Sequence, residues 1–339
     1  MKTIFAHMRY RLQKQQDVVL VTLVEEAGSA PRGTGAQMLV GKEGRIAGSI
    51  GGGAVEIKSV ELAGELLKTG KSLLRRFSLR QEAGDIGMVC GGDVSAWFQY
   101  VPAGDEVWRR LSDEACAIFD EHGTGLFVQS LRGGAPSLLD ENGRVIAGDT
   151  VPAEAVRAGL VDGYFSMELP KGERAVIFGA GHIARALVPI LRSVGFRPIV
   201  FDCRSEYAAK EYFPEAEAVI CGDYLRIGDY LTIAPDDYLV VMTHGHTHDF
   251  ELQEQLLRGT FAYIGVIGSR AKTAAVTARL MAAGLSEDAV RQVHTPIGTR
   301  IKAVTPQEIA VSIAGEMIYE RAVIREQAGI LSHGCPMHA

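Results

Sequence analysis

The amino-acid sequence predicts an α/β protein, in which an N-terminal mixed α+β domain precedes a C-terminal Rossmann-like, doubly wound parallel sheet. Three observations support this fold class. A glycine turn stands between an apolar strand and an apolar-striped helix at 175–194. Strand and helix patterns then alternate to about residue 325, which is typical of parallel βαβ units. Before residue 169 the pattern consists of hairpins and separate helices.

The boundary between the two domains is predicted at a breaker-rich stretch, Leu169-Pro170-Lys171-Gly172. We therefore assign residues 1–168 to the N-terminal domain, 169–328 to the C-terminal domain and 329–339 to a tail. A chain of 339 residues with 47% hydrophobic content is long enough for two cores.

Charge and composition exclude several classes of protein. A net charge of −6 with 22% charged residues provides no basic stripe of the kind that nucleic acid requires. Residues 1–16 contain no continuous apolar leader, and no later apolar run approaches the ~20 residues of a membrane span. The five cysteines are an odd number without C-x-x-C spacing. We expect a cytoplasmic protein with reduced thiols.

The first part of the N-terminal domain is predicted from apolar strand patterns and from the turn residues between them. A strand at 18–24 ends in a loop at 28–31, and two short strands at 37–40 and 45–48 form a hairpin. Apolar residues then recur at helical spacing from the glycines at 51–53 up to Gly70, a plausible stop. This region is therefore a strand, a hairpin and a helix entered through glycines.

The rest of the N-terminal domain contains a second glycine-rich segment at 84–92, which leads into a strand at 94–101. A helix is predicted over 105–119, followed by strands within 124–148. Residues 143–148 faintly repeat the sequence of 44–48. Six residues are too few to establish a repeat, so we interpret them as two similar hairpins.

The C-terminal domain is predicted to alternate strands and helices. The predicted strands are 175–178, 198–201, 238–242 and 263–267, and the predicted helices are 183–194, 272–283 and 306–325.

The glycine turn after the strand at 175–178 has the spacing of a dinucleotide-binding fingerprint. Gly179 permits the tight turn, Gly181 lets the backbone approach a pyrophosphate, and Ala184 allows close helix packing. His182 opens the helix, whose N-terminus carries positive partial charge. Asp202 follows 23 residues after Gly179, where an acid would bind a ribose hydroxyl. The alternative is a turn that keeps its glycines for packing and binds nothing.

Three histidines follow the strand at 238–242. Alternate residues of an extended segment point the same way, so His244, His246 and His248 are candidate ligands for zinc or iron. A hydrogen-bonded loop without metal is the alternative. For Asp249 we prefer a helix-capping role, because helical spacing begins directly after it.

The loop after the strand at 263–267 is a candidate anion site. Gly268, Ser269 and Arg270 combine backbone N–H groups with polar side chains, although a helix cap with solvated bases is equally compatible. The loops that follow Phe178 and Met242 should open on the same edge of the sheet, where open α/β sheets bind ligands. All three loops would then line one crevice.

The N-terminal domain contributes further candidates. Arg32 and the glycine-rich helix start suit oxyanions. Glycines on both sides of Cys90 favour an accessible thiol, whereas a buried, inert thiol, the commoner fate of a cysteine, is the alternative. These candidate cofactor-binding residues are Ser29, Arg32, Gly51, Gly52, Gly53 and Cys90.

Taken together, these motifs resemble the XdhC/CoxI family. The N-terminal segments at 28–32, 48–53 and 87–92 look like the signature of that family, and those at 178–182, 243–246, 264–270 and 305–310 resemble its Rossmann domain. The resemblance runs from about Val18 to about Ile318. After Gly298, where the family commonly has leucine and aspartate, this chain has Thr299 and Arg300, which puts a catalytic or metal role of that loop in doubt.

The resemblance implies an accessory factor that binds molybdenum cofactor and delivers it, usually sulfurated, to a molybdenum hydroxylase of the xanthine dehydrogenase type. Such a factor is more a cofactor-binding chaperone than a catalyst. Cys90 would then be a soft ligand to sulfur or molybdenum. A cysteine desulfurase and a second copy of the chain are further candidate partners, and NAD(P) or another nucleotide is a further candidate ligand. The alternatives are an NAD(P)-dependent oxidoreductase and a metal-dependent hydrolase built on the histidines.

Overall fold

The computed structural model describes residues 1–27, 33–78, 93–121, 123–169, 172–246, 248–268 and 270–328. The chain divides into two compact units, and the second of them is Gly172–Ala328. No helix in the described ranges is long and apolar enough to cross a membrane.

The first unit contains two antiparallel five-stranded sheets. The first sheet has the strand order β3-β2-β1-β5-β4. Its elements are α1 (Lys2–Gln13), β1 (Val18–Ala27), β2 (Gln37–Gly41), β3 (Gly44–Gly48), α2 (Gly53–Thr69), β4 (Leu73–Ser78) and β5 (Asp93–Val101). The predicted hairpin and the predicted helix are both present, and α2 ends at Gly70 in the left-handed conformation.

The second sheet of this unit has the order β8-β7-β6-β10-β9. Its elements are α3 (Glu106–Asp120), β6 (Gly125–Ser130), β7 (Ser137–Asp140), β8 (Val145–Ala147), β9 (Gly159–Val161) and β10 (Tyr164–Leu169). The predicted helix α3 begins where expected, because Asp105 is its N-cap and accepts a hydrogen bond from the backbone N–H of Val107 at 2.8 Å.

The two sheets have the same topology, and a helix precedes each of them in the chain. In the second half, a single 3₁₀ turn at Ala153–Ala155 stands where α2 stands in the first. Equivalent glycines end the third strands. A Cβ atom on Gly48 would lie 2.2 Å from the carbonyl oxygen of Gln37, and one on Gly148 would lie 2.0 Å from that of Pro136. The two similar hairpins are thus confirmed, and the similarity extends to the whole unit.

One apolar core joins the two halves of the unit. Helix α1, absent from our sequence prediction, buries Ile4, Phe5, Met8 and Leu12. The Phe5 ring packs edge-on against that of Phe127 on β6, with 5.3 Å between ring centroids. Residues from α1, α3 and both sheets therefore share this core.

The second unit is a doubly wound parallel sheet, as predicted, with the order β13-β12-β11-β14-β15-β16. Its strands are β11 (Arg174–Phe178), β12 (Arg197–Asp202), β13 (Ala218–Cys221), β14 (Tyr238–Val241), β15 (Tyr263–Val266) and β16 (Val293–His294). Its helices are α4 (His182–Ser193), α5 (Asp249–Leu256), α6 (Arg270–Ala282), α7 (Glu287–Arg291) and α8 (Pro306–Gln327). Strands β13 and β16 and helix α7 were not predicted.

The helices of the second unit cover both faces of the sheet. Residues from α4 and α8 form the core on one face, and residues from α5, α6 and α7 form the core on the other. The strand order reverses between β11 and β14, and ligands of open α/β sheets bind at such a point, outside the carboxyl ends of the strands. The loops after β11, β14 and β15 leave from three adjacent strands, so they lie together at this edge.

Candidate functional site

The turn between β11 and α4 requires one of its glycines and leaves open space in front of the other. Gly179 has a φ of +123°, and a Cβ atom there would lie 2.3 Å from the carbonyl oxygen of Met242. Gly181 is the N-cap of α4, and a Cβ atom there would meet nothing within 4 Å. His182 is exposed at the first helical position, whereas Ala184 is fully buried in the core. A ligand can therefore approach the backbone at Gly181.

Asp202 is buried, and its carboxylate is held by partners within the protein. It accepts a hydrogen bond from the backbone N–H of Ala180 at 2.8 Å. It also accepts bonds from the Arg204 backbone N–H at 3.0 Å and from the Arg204 guanidinium at 2.9 Å. Asp202 thus fastens the glycine turn to the end of β12. The predicted contact of Asp202 with a ribose remains a prediction.

Arg204 is more exposed than Asp202, with which it forms an ion pair. Its side chain is 25% exposed, against 1% for that of Asp202, and its guanidinium lies 3.9 Å from the centroid of the Tyr207 ring. Arg204 is not among the binding residues predicted from the sequence. Its position two residues after the fingerprint acid is the signal that would have identified it.

The electrostatic state of Asp202 follows from these contacts. Burial disfavours the carboxylate, but the hydrogen bonds from Arg204 and from Ala180, together with the charge of Arg204, outweigh burial and lower the pKa of Asp202. The carboxylate is therefore ionised at neutral pH and holds Arg204 in position.

The loop after β14 is organised by Asp249, although not as its helix cap. Asp249 is the first residue of α5, and the N-cap is His248. The Asp249 carboxylate accepts hydrogen bonds from the hydroxyl of Thr243 at 2.5 Å and from its backbone N–H at 3.3 Å. The capping assignment was therefore wrong by one position, and the carboxylate closes the loop onto the end of the strand.

The histidines of this loop do not lie on an extended segment. His244–His246 forms a 3₁₀ turn in which Gly245 has a φ of +62°, so the alternation used in the prediction does not apply. His244 is exposed, and the His248 ring lies 5.3 Å from that of Tyr224. The side chain of His246 is outside the described part. No metal-binding group of three or more His, Cys, Asp or Glu side chains occurs within the described ranges, and the metal site remains a prediction.

The loop after β15 contributes Gly268, where a Cβ atom would meet nothing within 4 Å. Ser269 and the side chain of Arg270 lie outside the described residues, although the backbone of Arg270 begins α6. Of the three residues of the predicted anion site, the structure therefore describes the open position at Gly268 but not the side chains of Ser269 and Arg270.

The loop in which this chain departs from the family pattern is fastened to α8. The backbone N–H of Thr299 donates to the carbonyl oxygen of Ser312 at 3.1 Å, and the hydroxyl of Ser312 donates to the carbonyl oxygen of Thr299 at 2.7 Å. Arg300 is exposed. These contacts give Thr299 a structural role in anchoring the loop.

In the first unit, a carboxylate of the chain itself occupies the glycine-rich helix start. Gly51, Gly52 and Gly53 all have positive φ angles, of 120°, 75° and 61°. The Glu56 carboxylate accepts hydrogen bonds from the hydroxyl of Ser49 at 2.6 Å and from the backbone N–H of Gly52 at 3.2 Å. It also accepts one from the backbone N–H of Ile50 at 3.1 Å. The loop therefore holds the carboxylate of Glu56, and the predicted cofactor-binding role of Gly51, Gly52 and Gly53 remains a prediction.

Glu56→Gln is expected to lower the free energy of unfolding by about 1–2 kcal/mol at pH 7, because charged acceptors make the stronger hydrogen bonds. Burial opposes ionisation of Glu56, but the bonds from Ser49, Gly52 and Ile50 and the charge of Arg45 prevail and lower its pKa. A lowered folded-state pKa stabilises the fold above the unfolded-state value of about 4.3. The difference between the two proteins should therefore shrink below about pH 4.

Urea denaturation at pH 7 and at pH 3.5 measures this effect, and Glu61→Gln, at an exposed position of the same helix, is the matched control. Equal stability of Glu56→Gln and the unmodified protein at pH 7 would contradict the assignment.

Three predicted binding residues of the first unit, Ser29, Arg32 and Cys90, lie outside the described residues. Their roles remain predictions from the sequence.

The second unit has the sheet, the strand order and the open glycine turn of the nucleotide-binding α/β proteins. Comparison with known families gives a narrower class. A model of the XdhC Rossmann domain matches residues 175–317, and a model of the XdhC and CoxI family matches residues 11–78. The chain belongs to the XdhC and CoxI family, as the sequence motifs indicated.

Individual relatives match along most of the chain. It is 27% identical over 323 residues to a probable xanthine dehydrogenase subunit of Bacillus subtilis (strain 168), covering 91% of this chain and 95% of that protein. It is 22% identical over 316 residues to the molybdenum cofactor insertion chaperone PaoD of Escherichia coli (strain K12), covering 93% and 87%. A crystal structure described as a xanthine dehydrogenase from Bacillus halodurans has the same fold, with a TM-score of 0.79, 24% identity and coverage of 94% and 96%.

Proposed function

We propose that this chain is a cytoplasmic accessory factor that binds molybdenum cofactor and delivers it, in sulfurated form, to a molybdenum hydroxylase of the xanthine dehydrogenase type. The relatives named as a molybdenum cofactor insertion chaperone and a xanthine dehydrogenase subunit support an accessory role. A cysteine desulfurase as the sulfur source and a homodimer as the assembly belong to the same proposal.

The observation that carries the proposal is the open edge of the sheet in the second unit. At Gly181 and at Gly268 the backbone has open space in front of it, so a bulky ligand can approach both loops. The N-terminus of α4 supplies positive partial charge, and Arg204, whose Nε and Nη2 donate to Asp202, offers its remaining Nη1 as a donor. Both suit the phosphate of a pterin cofactor or a nucleotide. The residues present therefore fit a phosphate-bearing ligand.

The roles of individual residues follow from their positions. The backbone at Gly181 and the guanidinium of Arg204 would bind the phosphate, and Asp202 would hold both in place. Cys90 would provide a thiolate, the soft ligand that molybdenum or a transferred sulfur prefers. When bound, the cofactor itself supplies the metal and sulfur chemistry, and the chain binds, orients and protects it.

The direct test is the dissociation constant of the purified protein for molybdenum cofactor. Affinity in the micromolar range or tighter is expected of a carrier. Affinity for NAD(P) with none for molybdenum cofactor would overturn the proposal and favour the oxidoreductase alternative.

Cys90→Ser should weaken retention of the cofactor at least tenfold, which corresponds to about 1.4 kcal/mol, because a hydroxyl is a poor substitute for a thiolate ligand. Serine is nearly isosteric, so loss of packing alone would cost little in binding. The measurement is cofactor affinity together with activation of the partner hydroxylase.

Cys116→Ser is the control for this experiment, because Cys116 is a buried thiol on α3 and burial raises its pKa. If Cys90→Ser retained the cofactor as well as Cys116→Ser does, Cys90 would be structural.

A further inference from the structure

A cavity of about 300 Å³ lies in the second unit, between α5, α6 and the carboxyl ends of β15 and β16. Its walls are mostly apolar, and Gly245 and Gly268 connect it to the loops of the candidate site. Its lining includes Gly245, Asp249, Gln253, Gly268, Ala275 and Arg279. A volume of this size is at the lower end of small-molecule sites, so it suits one fused ring system rather than a whole dinucleotide.

Two polar side chains from one face of α5 line this cavity. Asp249 and Gln253 are four residues apart on the helix and are 5% and 3% exposed. The side-chain amide of Gln253 donates to the backbone carbonyl of Asp249 at 2.8 Å, and within the described ranges its carbonyl oxygen Oε1 accepts no hydrogen bond. This oxygen is accessible from the cavity, so it can accept a hydrogen bond from a ligand that enters there.

The chemistry of the cavity selects among ring systems. A carboxylate and an amide oxygen are both acceptors, and they stand against apolar walls. They therefore suit a flat heterocycle with a donor-rich edge, which is the arrangement of an amino group beside a ring N–H. A cation is also present, since the Arg279 guanidinium lines the cavity and stacks 3.8 Å above the Phe250 ring. It suits a ligand that carries an anionic group outside the cavity.

We propose that this cavity binds the aminopyrimidine edge of a pterin ring, with Asp249 and Gln253 as the acceptors of its N–H groups. The inference rests on the proposed function and extends it, because it assigns the ring to a pocket separate from the glycine turn. Binding of the ring here leaves the phosphate-bearing part of the cofactor to reach Gly268 and the crevice.

The experiment uses the full chain and free ring compounds that lack both metal and phosphate. Pterin is titrated by fluorescence against the unmodified protein, Ala275→Phe and Ala274→Phe. Both alanines are exposed on α6, but only Ala275 lines the cavity. Ala275→Phe should weaken pterin binding at least tenfold, and Ala274→Phe should leave it unchanged. Equal affinity in all three proteins would overturn the proposal.

Two further arms test the chemistry of recognition. Lumazine, which replaces the amino group of pterin by an oxygen, should bind at least tenfold more weakly, because it presents an acceptor to acceptors. Gln253→Leu should weaken pterin binding and reduce the preference over lumazine. Nicotinamide mononucleotide serves as a competitor, and its displacement of pterin at lower concentration than pterin's own dissociation constant would overturn the assignment.

The outcome is distinguishable from failure of the proposed function. Ala275→Phe that binds complete molybdenum cofactor normally would reject this cavity and leave the proposed function standing. Loss of free pterin binding in Ala275→Phe would support the cavity as a ring site even if the unmodified protein did not retain the complete cofactor.

Discussion

Replacement of Asp202 by alanine is expected to lower the free energy of unfolding of the second unit by about 3 kcal/mol or more, since removal of one partner of a buried ion pair leaves the other uncompensated. The carboxylate is 1% exposed and accepts four hydrogen bonds, one from Ala180 and three from Arg204. Its loss frees the glycine turn from the end of β12 and should also reduce nucleotide affinity.

The dependence on pH has a definite sign. The pKa of Asp202 is lowered in the folded protein, so its contribution is fully present above the unfolded-state pKa of about 3.9 and is lost as the pH falls through the folded-state value. The stability difference between the unmodified protein and Asp202→Ala should therefore be constant near neutrality and shrink in acid.

Urea denaturation between pH 3 and pH 7 measures the difference. Asp223→Ala is the control, because that carboxylate is more exposed and accepts a hydrogen bond from Leu225 N–H in a neighbouring turn. A loss below about 1 kcal/mol in Asp202→Ala would show that the ion pair contributes little.

Replacement of Gly181 by aspartate is expected to reduce affinity for a dinucleotide or a pterin nucleotide at least 100-fold, about 2.7 kcal/mol, without unfolding the sheet. The new carboxylate would stand where a pyrophosphate approaches the N-terminus of α4. The open space in front of Gly181 lets the fold accommodate the side chain.

Calorimetric titration gives the affinities, and circular dichroism checks the fold. Gly228→Asp is the matched control, since Gly228 is an exposed glycine of the same unit and, like Gly181, has nothing within 4 Å of its Cβ position. Affinities of the two variants within threefold of each other would remove the glycine turn from the binding site.

Much of the second unit could be predicted from the sequence because its central strands are buried on both faces. The continuous apolar runs of β11, β12, β14 and β15 leave little ambiguity. Strand β13 is only half-buried at the sheet edge, and β16 has two residues, so neither has a pattern strong enough to detect. Helix α1 has a weak start signal, because its N-cap Met1 makes no side-chain cap hydrogen bond and its first turn contains no acidic residue.

The candidate site was predictable in position and less so in contacts. Strand ends and glycine spacing located the three loops, since both are local signals. The partners of Asp202 and Asp249 depend on how the backbone turns after each strand. Gly245 adopts a positive φ that folds the histidine segment into a 3₁₀ turn, and no spacing rule contains that angle.

The repeated topology of the first unit has a consequence for its stability. Two copies of one motif that share a single core can differ in their peripheral elements while both keep the strand order. One copy has a helix with a glycine-lined start, and the other has the turn at Ala153–Ala155 in the corresponding position. Residues of both copies form the one apolar core, so a destabilising substitution in either copy should unfold the whole unit.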